Sequence, residues 1–172
     1  MSYQRQEGLV FFTDLSGFGR LTKGMEMEET AELLTGFARI VARIVPDAGG
    51  TVVDLISDSA LGWFPPEAAD RGVRALMALK AESEAWLAER KTPMKLKVAA
   101  HYGEFLEIVL PPFDSPDLLG ETVNIAVRLG EGGVSTNRDR LILSAAAFRK
   151  LEPATRKIFH KHTEPVVYLA EK

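Results

Sequence analysis

Two aspartates occupy positions where a carboxylate can do chemistry. Asp14 closely follows the apolar run of residues 9–12, and Asp58 lies at the tip of a predicted hairpin. Two carboxylates about 4 Å apart repel by roughly 4 kcal/mol at an effective dielectric of 20, so a close pair needs a cation or a shared proton. Oxygen ligands without cysteine or a nearby histidine favour Mg²⁺ or Mn²⁺. The alternative is that Asp14 caps a turn and Asp58 only occupies a hairpin.

A glycine-containing turn follows the first acid. Its residues are Ser16, Gly17, Phe18 and Gly19. Glycines let backbone N–H groups approach an anion closely, as they do in phosphate-binding turns. A metal-binding carboxylate beside a phosphate site suggests a nucleotide.

A third polar pair interrupts an otherwise apolar segment, DLLGETVNIAVRL, residues 117–129. Asn124 and Arg128 are four residues apart, so on a helix they lie on one face and can contact one ligand. The alternative is that Arg128 is solvated and Asn124 hydrogen-bonds its own backbone.

The predicted elements place these residues around one sheet, and both acids can reach one spot if the first two predicted strands are sheet neighbours. Two of the strands are predicted to meet at Gly103, and a loop is predicted around the prolines at 111, 112 and 116. Strands and helices alternate without repeats, which indicates an α+β domain of one mixed sheet under helices, spanning residues 1–172. The predicted strands are 8–14, 51–56, 60–64, 94–102, 104–110, 141–144 and 164–170, and the predicted helices are 28–45, 67–90, 120–129 and 145–151.

Composition limits the classes of partner and compartment. The 172 residues include no cysteine and carry a net charge of -3, without a long basic run. We therefore expect a reducing compartment, by default the cytoplasm, and no nucleic-acid partner. No window approaches the roughly 20 apolar residues of a membrane helix, so no membrane partner is expected either.

Together, the three patches resemble the class III nucleotidyl cyclases, the family of adenylate and guanylate cyclases. The stretch FTDLSGF, residues 12–18, is similar to the family's first metal motif, and Asp58 is similar to its hairpin acid. The resemblance covers residues 8–169 and implies a ferredoxin-like catalytic domain with a central, mostly antiparallel mixed sheet. The family's dimer-interface helix pattern is matched by Asp117, Gly120, Val123, Asn124, Ala126 and Arg128.

The resemblance implies a head-to-tail homodimer that converts a nucleoside triphosphate to a 3',5'-cyclic nucleotide and pyrophosphate. Asp14 and Asp58 would hold two divalent cations, Mg²⁺ or Mn²⁺, with the backbone carbonyl of Leu15 assisting. Asn124 and Arg128 would come from the other subunit, so each site would be composite.

The resemblance also assigns substrate contacts. Backbone amides of residues 16–19 would bind the phosphates, Asn124 would position the ribose, and Arg128 would stabilise charge at the α-phosphate. Lys161 is the nearest candidate for a further basic group on the triphosphate.

The base-reading positions depart from the adenylate type. Asp54 stands where adenylate cyclases carry a lysine, while Asp117 retains the adenylate-type residue. An ionised Asp54 needs a donor, which guanine, uracil and cytosine all offer. The resemblance to pyrimidine cyclases of bacterial anti-phage defence favours UTP or CTP, with guanylate or adenylate cyclase as alternatives.

Two other departures keep a different class of function open. Ser57 replaces the glycine that usually precedes the hairpin acid, and the glycine-rich turn expected after Gly103 has become FLEIVLPPFDSP. The alternative is a non-catalytic nucleotide-binding or regulatory homologue. The histidines are predicted to be strand or surface residues: His101, His160 and His162.

Overall fold

The structure, a computed structural model, describes residues 2–112, 114–131, 141–163 and 166–170. Within these residues, eight strands form one mixed sheet and helices cover both of its faces. The strands are β1 (Ser2–Leu15), β2 (Thr51–Ile56), β3 (Ser59–Phe64), β4 (Leu96–Val109), β5 (Pro116–Leu119), β6 (Leu141–Ser144), β7 (Phe159–Thr163) and β8 (Val166–Ala170). The helices are α1 (Phe18–Leu21), α2 (Met27–Asp47), α3 (Ala69–Glu89), α4 (Glu121–Glu131), α5 (Ala145–Phe148) and α6 (Pro153–Arg156).

The long strands β1 and β4 form the centre of the sheet. The strand order is β2-β3-β1-β4-β6-β8-β7, with β5 paired to β4. β1 and β4 pair antiparallel along their whole length, from Ser2 opposite Val109 to Leu15 opposite Leu96. β4 and β6 are parallel neighbours, which makes the sheet mixed, as predicted.

The predicted break at Gly103 is wrong. Gly103 lies inside β4, opposite Gly8 of β1, and the chain stays extended through it. A Cβ atom at position 103 would lie 2.6 Å from Oγ1 of Thr122 in α4. The glycine therefore allows a helix to approach the strand, which a sequence pattern cannot distinguish from a turn.

The margins of the sheet also differ from the prediction. β1 begins at Ser2, since polar residues 2–7 extend the pairing with β4. The predicted loop contains β5, which pairs with the end of β4. The polar strand β7 was missed, because HKH within it carries no apolar alternation. The closing strand begins at Val166, and the predicted positions 164 and 165 lie outside the described residues.

Helices α2 and α3 cover one face and form the main core. Leu33, Phe37 and Val41 of α2 recur at helical spacing and are buried against the sheet. A reciprocal capping box of Glu26 and Glu29 begins this helix. The other core helix, α3, contributes fully buried residues of its own, including Leu76 and Leu79.

Helix α4 lies on the opposite face. Val123 and Ala126 are buried there in a cluster with Val10 of β1 and Phe105 of β4. A Cβ atom at Gly130 would lie 2.5 Å from Cδ1 of Phe12, so the helix touches β1 closely. None of the helices in the described ranges combines the length and hydropathy that a bilayer crossing needs.

Candidate functional site

The structure brings the two predicted acids together. Asp14 pairs across the sheet with Ser59, the first residue of β3 and the neighbour of Asp58. The backbone N–H of Leu15 donates to the carbonyl oxygen of Asp58 at 3.2 Å, which ties the hairpin tip to the end of β1. The strand beside β1 is β3, whereas β2, the neighbour assumed from the sequence, lies at the sheet edge. The hairpin tip reaches Asp14 through β3.

Asp14 lies on the face of the sheet that carries α4. Val10 and Phe12 contact α4, and side chains at alternate positions of a strand share a face. Core residues Phe11 and Leu15 point to the opposite face. The alternation therefore places the carboxylate of Asp14 outside the main core.

The pKa of Asp58 is shifted by its burial and by the neighbouring acid Asp14. Burial, as the largest cause, raises the pKa of Asp58 above its ordinary value of 3.8. The charge of Asp14 and a hydrogen bond between the two carboxyls raise this pKa further. A backbone hydrogen bond and one to Ser57 act in the opposite direction. Two carboxyls thus share one partly desolvated place, which favours a proton or a cation between them.

Lys97 is a site residue that the sequence reasoning missed. It lies on β4 directly opposite Asp14, and its Nζ atom is 2.9 Å from Oδ2 of Asp14. Both side chains are about one quarter exposed, at 22% for Lys97 and 24% for Asp14. Lys97 therefore supplies positive charge to Asp14 in the metal-free protein. Only the register of β1 with β4 identifies it.

The residues present fit a divalent cation whose remaining ligands come from substrate or water. The described ranges contain no group of three acidic, histidine or cysteine side chains that could enclose a metal. Mg²⁺ is, however, commonly bound through one or two carboxylates together with substrate phosphates and water. Asp14 and Asp58 would supply those carboxylates. The contribution of the Leu15 carbonyl stays a prediction.

The first residue of the predicted phosphate-binding turn, Ser16, already makes hydrogen bonds within the chain. The N–H of Ser16 donates to the carbonyl of Lys95 at 2.8 Å, and its hydroxyl accepts from the N–H of Lys95 at 3.0 Å. The amide of Ser16 therefore already has a partner. Gly17 has a φ of 74°, which a glycine adopts at no steric cost, and the short helix α1 begins after it. Phosphate binding by Phe18 and Gly19 stays a prediction.

The predicted pair on α4 does not meet the acids within one chain. Asn124 and Arg128 are exposed, whereas the side of α4 that contacts the sheet presents Val123, Ala126 and Gly130. Arg128 forms an ion pair with Glu121, and Nδ2 of Asn124 lies 3.5 Å from the same carboxylate. These three exposed side chains form a polar row, which we call the α4 row.

The two predicted base-reading acids lie on strands that contact each other. A bulge between Val52 and Asp54 shifts the register of β2, so that Asp54 faces Leu61. Leu61 belongs to the α4 face, so the bulge places Asp54 on that face instead of over the main core. Asp117, on β5, accepts a hydrogen bond from the N–H of Leu118. β5 contacts β2, and both acids are exposed.

Lys161 lies far from the acids within one chain. It is an exposed residue of β7, four strand positions from β1, or roughly 19 Å at the usual strand spacing. Lys161 therefore cannot contact a triphosphate that is bound at Asp14 and Asp58 of the same subunit. The histidines were predicted to be strand or surface residues, and they lie on strands: His101 on β4, and His160 and His162 on β7.

Comparison with curated proteins gives relatives of which some are named adenylate cyclase. Over 120 residues, 70% of this chain and 28% of the relative, it is 35% identical to an adenylate cyclase of Streptomyces coelicolor. Over 144 residues, 84% of this chain and 34% of the relative, it is 31% identical to an uncharacterized protein of Mycobacterium tuberculosis. The chain thus spans about a third of the length of these curated relatives. No family model matches it.

Solved structures confirm the predicted fold class. The adenylyl cyclase CyaB from P. aeruginosa superposes with a TM-score of 0.84 at 17% identity, covering 100% of this chain and 97% of that one. The guanylyl cyclase Cya2 superposes with a TM-score of 0.78 at 18% identity, covering 99% and 93%. Both comparisons extend over nearly the whole chain, so the shared fold includes the strands that carry the two acids.

Proposed function

We propose that this chain, which belongs to the class III nucleotidyl cyclase family, converts a nucleoside triphosphate to a 3',5'-cyclic nucleotide and pyrophosphate. The observation that carries the proposal is the meeting of Asp14 and Asp58 at one partly buried place. A carboxyl pair of this kind is costly in a fold unless a cation uses it. The relatives named adenylate cyclase support the same activity.

The active form we propose is a head-to-tail homodimer with composite sites. Asn124 and Arg128 point away from the sheet that holds the acids, so one subunit alone lacks a complete set. A second copy can present its α4 row to the acids of the first. Rotation symmetry then produces two equivalent sites.

In this proposal each residue has a distinct role. Asp14 and Asp58 would hold the divalent cations, which would supply activation of the ribose 3'-hydroxyl and charge neutralisation on the phosphates. Asn124 of the second subunit orients the ribose. Arg128 of that subunit donates to the α-phosphate, where negative charge develops. Lys97 would neutralise Asp14 while no cation is bound.

For the base we propose a pyrimidine on the resemblance to pyrimidine cyclases, since Asp54 itself argues only against adenine. A carboxylate at this position accepts from the N3–H of uracil, the N4 amino group of cytosine or the N1–H and N2 amino group of guanine, whereas adenine would leave its ring acceptor without a donor. Such a mismatch costs about 1–3 kcal/mol, or roughly tenfold to a hundredfold in preference. A role in anti-phage signalling belongs to the same proposal and requires a pyrimidine product. ATP is the second candidate, because the named relatives are adenylate cyclases.

One assay tests the activity and the base together. The purified chain is incubated with Mn²⁺ and each of the four ribonucleoside triphosphates, and cyclic nucleotide and pyrophosphate are quantified. We expect product from UTP or CTP in wild type, none in Asp14→Ala, and wild-type rates in the exposed control Asp47→Asn.

The other outcomes are equally informative. Product from ATP or GTP alone would overturn the pyrimidine preference and retain the cyclase. No product from any substrate, with nucleotide binding that survives Asp14→Ala, would favour a regulatory homologue.

A further inference from the structure

The turn that carries Asp58 has a backbone conformation that its sequence does not favour. Ser57 has a φ of 54°, in the left-handed region where a side chain is strained and glycine is preferred. Its side chain is exposed, so packing does not account for a serine there. Its side chain acts on the adjacent carboxyl by lowering the pKa of Asp58, against the effect of burial. The strained serine thus acts on one of the two acids.

The serine on the other side of Asp58 contacts the other acid. Ser59 Oγ donates to Oδ1 of Asp14 at 3.2 Å, and Ser59 is half-buried at the first position of β3. The same carboxylate receives Nζ of Lys97 on its second oxygen, Oδ2. Each acid of the pair therefore has its own hydroxyl donor, and both donors come from one three-residue segment.

Hydroxyl donors suit carboxylates that must hold a cation. An ionised carboxylate has about four acceptor positions, so one serine contact leaves the others available. Such a hydrogen bond fixes the carboxylate in one orientation. It also favours the ionised form that a metal needs. A glycine at position 57 would relieve the backbone strain but supply no donor.

We propose that Ser57 and Ser59 are positioning residues that orient Asp58 and Asp14, respectively, for divalent cation binding. This inference rests on the proposed function, since it assumes that the acids bind the cation. In this inference the strained Ser57 is present to orient Asp58 and does not stabilise the fold. The loss of either hydroxyl then weakens the cation site, even where the fold becomes more stable.

The test measures Mn²⁺ alone, by electron paramagnetic resonance of the free ion, and the melting temperature of the metal-free protein. Binding lost in the double variant Asp14→Asn/Asp58→Asn defines the site. We expect Ser59→Ala to bind Mn²⁺ about tenfold more weakly at this site, and Ser59→Thr, which keeps a hydroxyl, to remain within about twofold of wild type.

Substitutions at position 57 separate the effect on Mn²⁺ binding from the effect on the stability of the fold. Both Ser57→Gly and Ser57→Ala should bind Mn²⁺ several-fold more weakly, but only Ser57→Gly should raise the melting temperature, because it alone removes the strain. Ser115→Ala, an exposed serine in a loop, is the control and should change neither quantity.

The failures of the two proposals are distinguishable. If wild type shows no Mn²⁺ binding that the double variant removes, the metal site and the proposed function fail, and this inference fails with them. If wild type binds Mn²⁺ there and the serine variants bind it equally well, the positioning role is overturned while the proposed function stands. A change in melting temperature alone would make the serines purely structural.

Discussion

The two faces of the sheet differ in how completely they are covered. Under α2 and α3, large side chains such as Phe37 and Leu76 are almost wholly removed from water. The face that carries α4 leaves an apolar side chain exposed beside the site, Ile56 at 67%, which lies opposite Ser59 in the sheet. The first face supplies stability, and the second keeps its functional groups accessible. Incomplete burial on the α4 face is what a composite site requires.

The largest expected effect comes from Asp58 on the α4 face. We expect Asp58→Asn to lower cyclase activity by about 10³-fold or more. The substitution removes a cation ligand, and the charge that develops in the transition state is then less stabilised. Without metal, the variant should be as stable as wild type at neutral pH or more so. The pKa of Asp58 is raised, so folding disfavours its ionised form.

The measurements are product formation and urea unfolding in the presence of a chelator, with Asp47→Asn as the control. Activity within tenfold of wild type would remove Asp58 from the site. A large loss of stability would show that the acid serves the fold instead.

A second experiment sharpens the contrast by dividing the site between subunits. Asp58→Asn and Arg128→Ala are each inactive in the proposal, but a mixed dimer holds one intact site. Equal mixing should therefore restore about one quarter of wild-type activity. Activity that stays absent after confirmed subunit exchange would contradict the composite site.

The third experiment compares truncations on the two faces. Leu76→Ala should lower the free energy of unfolding by about 3 kcal/mol, since it leaves a cavity in the closed core. Ile56→Ala, on the α4 face, should change that free energy by less than about 0.5 kcal/mol, because the side chain is already exposed. Urea denaturation of both variants decides this. Equal losses would mean that the α4 face is as integral to the fold as the core.

The smallest effect concerns His101, on the α4 face of β4. Burial lowers the pKa of His101 below 6.5, with Glu121 acting partly against it, so folding favours the neutral ring. The unfolded chain takes up the proton first as pH falls, so stability present above pH 6.5 is progressively lost below it. Wild type should lose more stability than His101→Gln between pH 7.5 and pH 5.5, values chosen to span about one unit either side of that pKa. Urea titrations at both values measure this, and equal losses would refute it.

Much of the fold and of the candidate site could be predicted from the sequence, because the decisive signals are local. Helical spacing in α2, the apolar run of β1 and the turn at Asp58 each depend on neighbouring residues only. The acids and the α4 pair were found in the same way. The continuity of β4 through Gly103 could not be predicted, because a glycine that admits Thr122 resembles one that makes a turn.

By itself, the sequence determined which residue types were available, at what spacing, and on which kinds of element. Only the tertiary structure decided that β3 lies beside β1, that Lys97 faces Asp14, and that a bulge directs Asp54 to the α4 face. The physical reason is that strand order and register arise from contacts between residues far apart in the chain. A one-residue shift in register moves a side chain to the opposite face of the sheet.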